Sequence, residues 1–146
     1  MKSDSAWTVD TNVLVYAAAI DAPAAKHTMA LELLERLFSD PQGCIAGQVL
    51  SEFVSVAVRK KAMTHALACD AVQTWARATR VLDASASAYE RAWGLVASHR
   101  YQMWDALIVS VCADHAIGTL YSEDAGSLKR PLGVHVVNPF AAPVPK

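Results

Sequence analysis

Short apolar runs alternate with longer segments of helical character, and this alternation restricts the possible folds more than any other feature of the sequence. The runs lie at residues 7–10, 44–46, 81–82, 118–121 and 134–137. Strands that alternate with helices pair in parallel, and helices then cover both faces of the sheet. The sequence therefore predicts an α/β fold with a five-stranded parallel sheet and helices on both faces.

The segments between the runs carry helix signals. Leu31, Leu34 and Leu37 recur at helical spacing, and Thr64 and Ser85 are residue types that cap helix N-termini. We expect helices at about residues 22–38, 48–60, 65–79 and 86–98 and another from about residue 104, whose apolar stripe would contain Trp104, Leu107, Ile108, Val111 and Cys112.

The length of 146 residues fits one domain, which can bury about two thirds of the surface of the unfolded chain. No apolar run reaches the roughly 20 residues of a membrane-spanning helix, and residues 1–5 lack the layout of a signal peptide. Cys44, Cys69 and Cys112 are odd in number and lie in apolar sequence, so we expect reduced thiols in the core. These features predict a cytoplasmic protein that does not associate with a membrane.

Four acidic residues lie beside core-forming sequence. Asp10 ends the first apolar run, and Asp124 follows the fourth. Asp105 falls in the first turn of a predicted helix, and Glu52 borders the apolar face of another. Carboxylates in such places cost free energy unless a positive group compensates them, and a hard divalent cation is the simplest one. If the first and fourth strands are neighbours, Asp10 and Asp124 meet at the same edge of the sheet.

Each acid also has an ordinary interpretation as a turn cap, a helix-flank residue or a loop residue. Together they suit a metal site, and the lack of His or Cys near them favours Mg²⁺ or Mn²⁺ over Zn²⁺. Such a site suits hydrolysis of phosphodiester bonds, because the cations offset the charge of the phosphate and lower the pKa of a bound water. No protein nucleophile is then needed.

The charge outside this candidate site is mildly basic. The net charge of −1 becomes +3 when the four acids are set aside. Arg59, Lys60 and Lys61 form the densest basic run and are candidates for binding the phosphates of a nucleic acid. The alternative is a solvated helix end, because cations are favourable at helix C-termini.

Five segments around these residues resemble motifs of the PIN-domain family, and most closely those of the VapC-type ribonuclease toxins of prokaryotic toxin–antitoxin pairs. They are residues 9–17, 48–53, 104–108, 120–124 and 136–140, which read VDTNVLVYA, QVLSEF, WDALI, LYSED and VVNPF. Each motif is weak alone, but their order and spacing together are specific. The resemblance covers about residues 7–140, so we expect residues 1–146 to form a single PIN domain with its core at about residues 6–140.

The resemblance implies a sheet in the order 3-2-1-4-5 and a hydrolase that acts as a Mg²⁺- or Mn²⁺-dependent endoribonuclease. It implies that the catalytic acids are also the metal-binding residues. Asp10 and Asp105 would be the firmest ligands, and Glu52 and Asp124 would complete the site directly or through water.

Three small polar residues are implied to orient the carboxylates or a water, namely Thr11, Asn12 and Ser122. For Thr11 and Ser122, ordinary turn chemistry after a strand is the alternative. The chain departs from the family pattern after Asp124, where residues 125–126 are Ala and Gly. Relatives usually have a larger apolar residue and a polar one there, so we expect a looser loop around this acid.

The partners implied by the resemblance are an RNA substrate, a small antitoxin protein that covers the active cleft, and a second copy in a homodimer. Arg59 to Lys61 then become candidates for RNA binding. Met29, Met63 and Trp75 are apolar side chains beyond what one helix face needs. Core packing explains most of them, and a groove for a dimer partner or an antitoxin is the alternative.

Other functions share parts of this pattern. A non-catalytic PIN-like module would bind RNA or a protein without cutting, and the complete set of acids argues against it. A phosphatase with Asp10 as nucleophile would resemble haloacid dehalogenases, which usually carry a second Asp two residues later, where this chain has Asn12. A receiver domain would need paired acids after the first strand and a Lys after the last, and the sequence has neither.

Overall fold

The central sheet consists of five parallel strands. In the computed structural model, which describes residues 5–123 and 130–141, the strands are β1 (Trp7–Val9), β2 (Gly43–Ala46), β3 (Arg80–Leu82), β4 (Thr119–Tyr121) and β5 (His135–Val137). Their order is β3-β2-β1-β4-β5, and all neighbours are parallel. The sheet order that the resemblance implied is therefore confirmed, and the end of β1 adjoins the end of β4.

The described part of the chain contains six α-helices. Thr64 and Ser85 accept hydrogen bonds from Leu67 N and Ala88 N, so both predicted helix caps are confirmed. A short 3₁₀ turn at Pro131–Gly133 precedes β5. The helices are α1 (Thr11–Ala17), α2 (Ala24–Ser39), α3 (Gly47–Arg59), α4 (His65–Ala78), α5 (Ala86–Ala97) and α6 (Met103–Asp114).

Helix α1 is absent from the sequence-based prediction. Residues 13–17 read VLVYA, a β-branched and apolar run that favours continuation of the preceding strand. The helix has seven residues, too few to display a helical period clearly. Asp10 stops the strand instead, because its side chain accepts a hydrogen bond from Thr11 N and caps α1.

The core occupies both faces of the sheet. Every residue of β1 and β2 is buried, and successive side chains of a strand point to opposite faces, so both faces of these strands are covered. Helix α6 is buried along its middle, from Ala106 to Cys112. Burial of this kind, at about 25 cal/mol per Å² of apolar surface, is the main stabilising contribution to the fold. Among the described residues, no helix is long and apolar enough to cross a membrane.

Two residues that the sequence places in the core lie at the surface instead. Trp104 is 61% exposed, because it sits in the first turn of α6, ahead of the part that packs into the core. Cys69 is exposed on α4, a peripheral helix whose single buried residue is Ala68. Cys44 and Cys112 are buried and take part in no disulfide bond, as expected.

Candidate active site

Asp10 lies where the central strand ends. Its backbone N–H donates to Tyr121 O at 2.9 Å, which joins the end of β1 to β4. Its two carboxylate oxygens accept from Thr11 N at 2.7 Å and from Ser122 Oγ at 2.8 Å. The carboxylate is thus fixed by the first residue of α1 and by the residue that follows β4.

Glu52 is held from two sides on α3. Thr11 Oγ1 donates to Glu52 Oε2 at 2.9 Å, and Gln48 Nε2 donates to Glu52 Oε1 at 2.9 Å. Thr11 is buried, and it contacts one acid through its backbone N–H and the other through its hydroxyl. This residue therefore links the orientation of Asp10 to that of Glu52.

Asp105 brings a third carboxylate to the same place from the first turn of α6. Together with Asp10 and Glu52 it lines one cleft of about 530 Å³. The other residues of the cleft wall are Thr11, Asn12, Gln48, Arg100, Tyr101, Gln102 and Trp104. Three of the four predicted acids, carried by three separate elements, therefore share one cleft. The fourth, Asp124, lies outside the described residues.

The charge in this cleft shows in the pKa of Asp10. Burial of its carboxylate raises the pKa above the usual value, and the nearby charges of Glu52 and Asp105 raise it further. The hydrogen bonds from Thr11 N–H and from the Ser122 hydroxyl act in the opposite direction, but the net shift is upward. Ionised Asp10 is therefore costly in the protein alone, and a cation in the cleft would relieve that cost.

The donor atoms of the cleft suit a hard divalent cation, although they do not form a preassembled cage. Within residues 5–123 and 130–141, no three side chains of His, Cys, Asp or Glu stand close enough together to hold a metal ion. The cleft does offer carboxylate oxygens, and Gln48 Oε1 is a buried oxygen that accepts no hydrogen bond from any described residue. Oxygen donors of this kind fit Mg²⁺ or Mn²⁺. A cation would have to draw the carboxylates closer together.

Glu123, which follows Ser122, is fixed by a clamp of two side chains. Tyr16 donates its hydroxyl to Glu123 Oε1 at 2.7 Å, and Lys26 Nζ lies 2.5 Å from Glu123 Oε2. Burial alone would raise the pKa of Glu123, but the hydrogen bonds from Lys26 and Tyr16 lower it below its usual value. The ring of Phe140 packs edge-on against Tyr16. The clamp therefore anchors the chain immediately before Asp124.

The other predicted site residues take different positions. Asn12 lines the cleft beside the acids. Of the basic run, Arg59 lines a groove that adjoins the cleft, whereas Lys60 Nζ pairs with Asp21 at 2.7 Å. Lys61 is exposed and adopts a left-handed backbone conformation with φ of 57°. Arg59 is thus the member of the run that shares a cavity wall with Glu52.

The sequence interpretation gave no role to Gln48, although a signal for it exists. Gln48 and Glu52 are four residues apart on a helix, a spacing at which side chains meet. Tyr101 and Gln102 also line the cleft, but they precede α6 in irregular structure, where no periodic pattern reveals which way a side chain points.

The fold and these acids define a PIN domain, and the chain belongs to the PIN-domain family, whose model matches residues 8–131. No curated protein sequence matches the chain significantly.

Solved structures with a similar fold include VapC toxins. VapC20 of Mycobacterium tuberculosis, a toxin that cleaves the sarcin–ricin loop, is 24% identical with a TM-score of 0.63, over 80% of this chain and 88% of that chain. A toxin–antitoxin complex from Klebsiella pneumoniae is 22% identical with a TM-score of 0.64, over 92% and 98%. DNA-bound VapBC from Salmonella typhimurium is 16% identical with a TM-score of 0.63, over 90% and 96%. At these identities the likeness concerns the fold.

Proposed function

We propose that the protein is a Mg²⁺- or Mn²⁺-dependent endoribonuclease and the toxin of a type II toxin–antitoxin pair. The observation that carries the proposal is the arrival of Asp10, Glu52 and Asp105 in one cleft from three separate elements of a PIN domain. The fold likeness to VapC toxins from several bacteria supports the same conclusion.

Asp10, Glu52 and Asp105 are the residues that would hold a divalent cation, with Asp124 as the fourth acid. A cation held there supplies positive charge to the scissile phosphate and acidity to the attacking water. The chain itself orients the carboxylates. The Thr11 N–H and the Ser122 hydroxyl point the Asp10 oxygens, and the Thr11 hydroxyl and the Gln48 amide occupy one oxygen each of Glu52.

The same cleft disfavours RNA when no cation is bound. Its wall carries three carboxylates and one guanidinium, that of Arg100, and the excess of negative charge repels a phosphodiester. Binding of the substrate backbone and binding of the cation are therefore expected to reinforce each other.

The decisive experiment replaces Asp105 by Asn and measures cleavage of a long single-stranded RNA in the presence of Mg²⁺. We expect cleavage to be abolished while circular dichroism and the melting temperature stay close to those of the parent protein. Asp70→Asn is the matched control, because Asp70 is exposed on α4 and lies outside the cleft. Cleavage by Asp105→Asn at the parental rate would show that the assignment of roles is wrong.

We propose two protein partners for the same molecule. A small antitoxin would cover the acid cleft, in keeping with the toxin–antitoxin complex and the DNA-bound VapBC among the structures of similar fold. A second copy would form a homodimer. The product of a short gene next to the coding sequence should inhibit cleavage at a one-to-one ratio, and light scattering should give twice the chain mass. The cytoplasm, where cellular RNA is found, is the location that this proposal requires.

A non-catalytic PIN-like module that binds RNA or a protein is the second candidate. The lack of a preassembled ligand cage among the described residues is the observation in its favour. Calorimetry with Mn²⁺ separates the two functions. A nuclease should bind the ion and gain thermal stability at millimolar concentration, whereas a module that does not need metal should show neither effect.

A further inference from the structure

Trp104 is a large aromatic side chain that the fold leaves at the surface. It is 61% exposed and directly precedes Asp105 on α6. Trp side chains are buried to a high degree on average, so exposure to this extent calls for an explanation other than core packing. The position of Trp104 offers such an explanation, because this residue forms part of the wall of two adjoining cavities.

The first of these cavities is the acid cleft, and the second is a larger groove of about 1210 Å³ between α3, α5 and α6. Gln48, Glu52 and Trp104 line both. The remaining residues of the groove are Gly47, Ser51, Ser55, Val56, Arg59, Leu82, Asp83, Ala84, Tyr89 and Leu107. A ligand bound at the acids can therefore continue past the Trp104 ring into the groove.

The composition of the groove favours contact through flat rings over contact through charge. Beyond the shared Glu52, its charged side chains at neutral pH are one guanidinium and one carboxylate, those of Arg59 and Asp83. A second aromatic residue, Tyr89, is 40% exposed on the same wall. With Glu52, the groove carries two negative charges and one positive charge, so charge does not attract the phosphates of RNA there. The aromatic faces are the surfaces that can hold a strand. Single-stranded nucleic acids bind to such faces by stacking their bases.

The position of Trp104 relative to the acids is fixed by Gln48. Gln48 Nε2 donates to Glu52 Oε1 at 2.9 Å and also to the backbone oxygen of Trp104 at 3.3 Å. One amide group thus connects a candidate metal ligand to the backbone that carries the ring. A base stacked on Trp104 would therefore lie close to the phosphate at the acids.

We propose that Trp104 is a stacking platform for an unpaired base of the RNA, next to the phosphate that is cut, and that the groove receives the adjoining single-stranded segment. This inference rests on the proposed nuclease function and assigns to Trp104 a contact with the substrate. Bases inside a duplex are stacked on each other, so their faces are not available to the Trp104 ring. The contact with Trp104 therefore requires an unpaired base.

The test compares two tryptophans of similar exposure. Trp93 is 57% exposed on α5 and lines neither cavity, although its ring contacts that of Tyr89 with the centroids 6.1 Å apart. Trp93→Leu is the control for Trp104→Leu, because it removes a neighbouring exposed ring without changing the cavity walls. We expect Trp104→Leu to raise KM for a single-stranded RNA by about 5- to 100-fold, with a much smaller effect on kcat. Trp104→Phe should restore most of the loss, because it keeps a flat ring. Trp93→Leu should change KM far less than Trp104→Leu does, because it can act on the groove only through Tyr89. A fully paired version of the same RNA should be cut poorly by all four proteins.

Binding without cleavage provides a second readout. In an Asp105→Asn background, a short single-stranded RNA should quench tryptophan fluorescence, and Trp104→Leu should remove that quenching. A Trp104→Leu enzyme with parental KM would overturn the inference, and so would an equal loss in Trp93→Leu. If Trp104→Leu instead turns a dimer into a monomer in light scattering, the ring belongs to a protein interface and the inference is wrong.

The outcome for the inference can be separated from the outcome for the proposed nuclease function. If the parent protein cuts no RNA but single-stranded RNA still quenches Trp104, the nuclease function fails and the platform stands. If RNA neither is cut nor quenches the fluorescence, both are overturned.

Discussion

The hydroxyl of Thr11 offers a sharp test of how the acids are held. Thr11→Val removes the donor to Glu52 Oε2 at 2.9 Å and leaves a methyl group of nearly the same size in its place. The backbone N–H of residue 11, which donates to Asp10, is unaffected. The substitution therefore disturbs one acid and leaves the hydrogen bond to the other intact.

The expected magnitude follows from the geometry. A hydrogen bond to a charged group contributes about 1.5–3 kcal/mol, and the partial burial of this pair places it in the lower part of that range. A loss of about 2 kcal/mol lowers the melting temperature of a domain of this size by roughly 4–8 °C. Groups that orient a metal ligand usually change metal affinity or activity by about 10- to 100-fold when they are removed.

Thr11→Ser is the control because it keeps the hydroxyl and loses a buried methyl group, at a cost of about 1 kcal/mol. Both variants should melt earlier than the parent. The two variants should differ in their response to metal, measured by titration with Mn²⁺ and by the Mg²⁺ dependence of RNA cleavage. Thr11→Val should show about 10- to 100-fold weaker metal affinity or activity, and Thr11→Ser should not. Equal metal responses in the two variants would show that the hydroxyl serves only stability and that the reasoning is wrong.

Three further predictions concern charge. Asp10→Asn keeps a residue that caps α1 well and removes a carboxylate whose pKa is raised by burial and acidic neighbours. In EDTA at neutral pH this variant should therefore have a higher melting temperature than the parent protein. Mn²⁺ should raise the melting temperature of the parent protein only. Glu123→Gln should lower RNA cleavage about tenfold with little change in melting temperature, because it weakens a largely surface clamp from Lys26. The hydrogen bond from Arg91 lowers the pKa of Asp114. This pair therefore stabilises the fold at pH values above the unfolded-state pKa of Asp, about 3.9. The stabilisation is lost as the pH falls through the lowered pKa of the folded state. Arg91 also donates a long hydrogen bond of 3.3 Å to Ser110 O, which does not depend on pH. Arg91→Gln should therefore cost less than about 1 kcal/mol at pH 7 and still less near pH 2, as measured by urea unfolding.

Contradicting results are equally specific. An Asp10→Asn protein that melts earlier than the parent in EDTA would mean that the ionised carboxylate stabilises the fold. Loss of folded structure in Glu123→Gln would make the clamp a stability element and not a positioning one. A constant difference between the parent protein and Arg91→Gln across the whole pH range would assign the effect of Arg91 to contacts that do not titrate, namely its hydrogen bond to Ser110 O and the packing of its stem.

The sequence predicted the sheet and most helices because their signals are local. Thr64 and Ser85 mark helix starts through side-chain hydrogen bonds made within three residues. Helix α1 escaped prediction because its β-branched residues have strand propensity, and the tertiary contacts of α1 with α2 and α3 override it.

The candidate site was predictable in its acids and less so in its surroundings. Asp10 and Asp105 stand out because an acid beside buried sequence needs compensation. The hydrogen bond from Ser122 to Asp10 and the two hydrogen bonds of Gln48 depend on which elements become neighbours in the fold. A single sequence predicts these neighbours only after the fold has been predicted. The sequence did not predict the exposure of Trp104, because the helical spacing of this residue matches the buried stripe of α6. Trp104 nevertheless precedes the part of the helix that packs into the core.

The bond between Ser122 and Asp10 joins residues 112 positions apart, across the two central strands. During translation, the segments with Asp10 and Glu52 leave the ribosome long before β4 has been made. Until β4 pairs with β1, the Asp10 carboxylate lacks one of its two donors and the cleft lacks a wall. The Asp10 carboxylate of the proposed nuclease is therefore fully held only after β4 and Ser122 have been synthesised, so we expect chains that stop before β4 to be inactive.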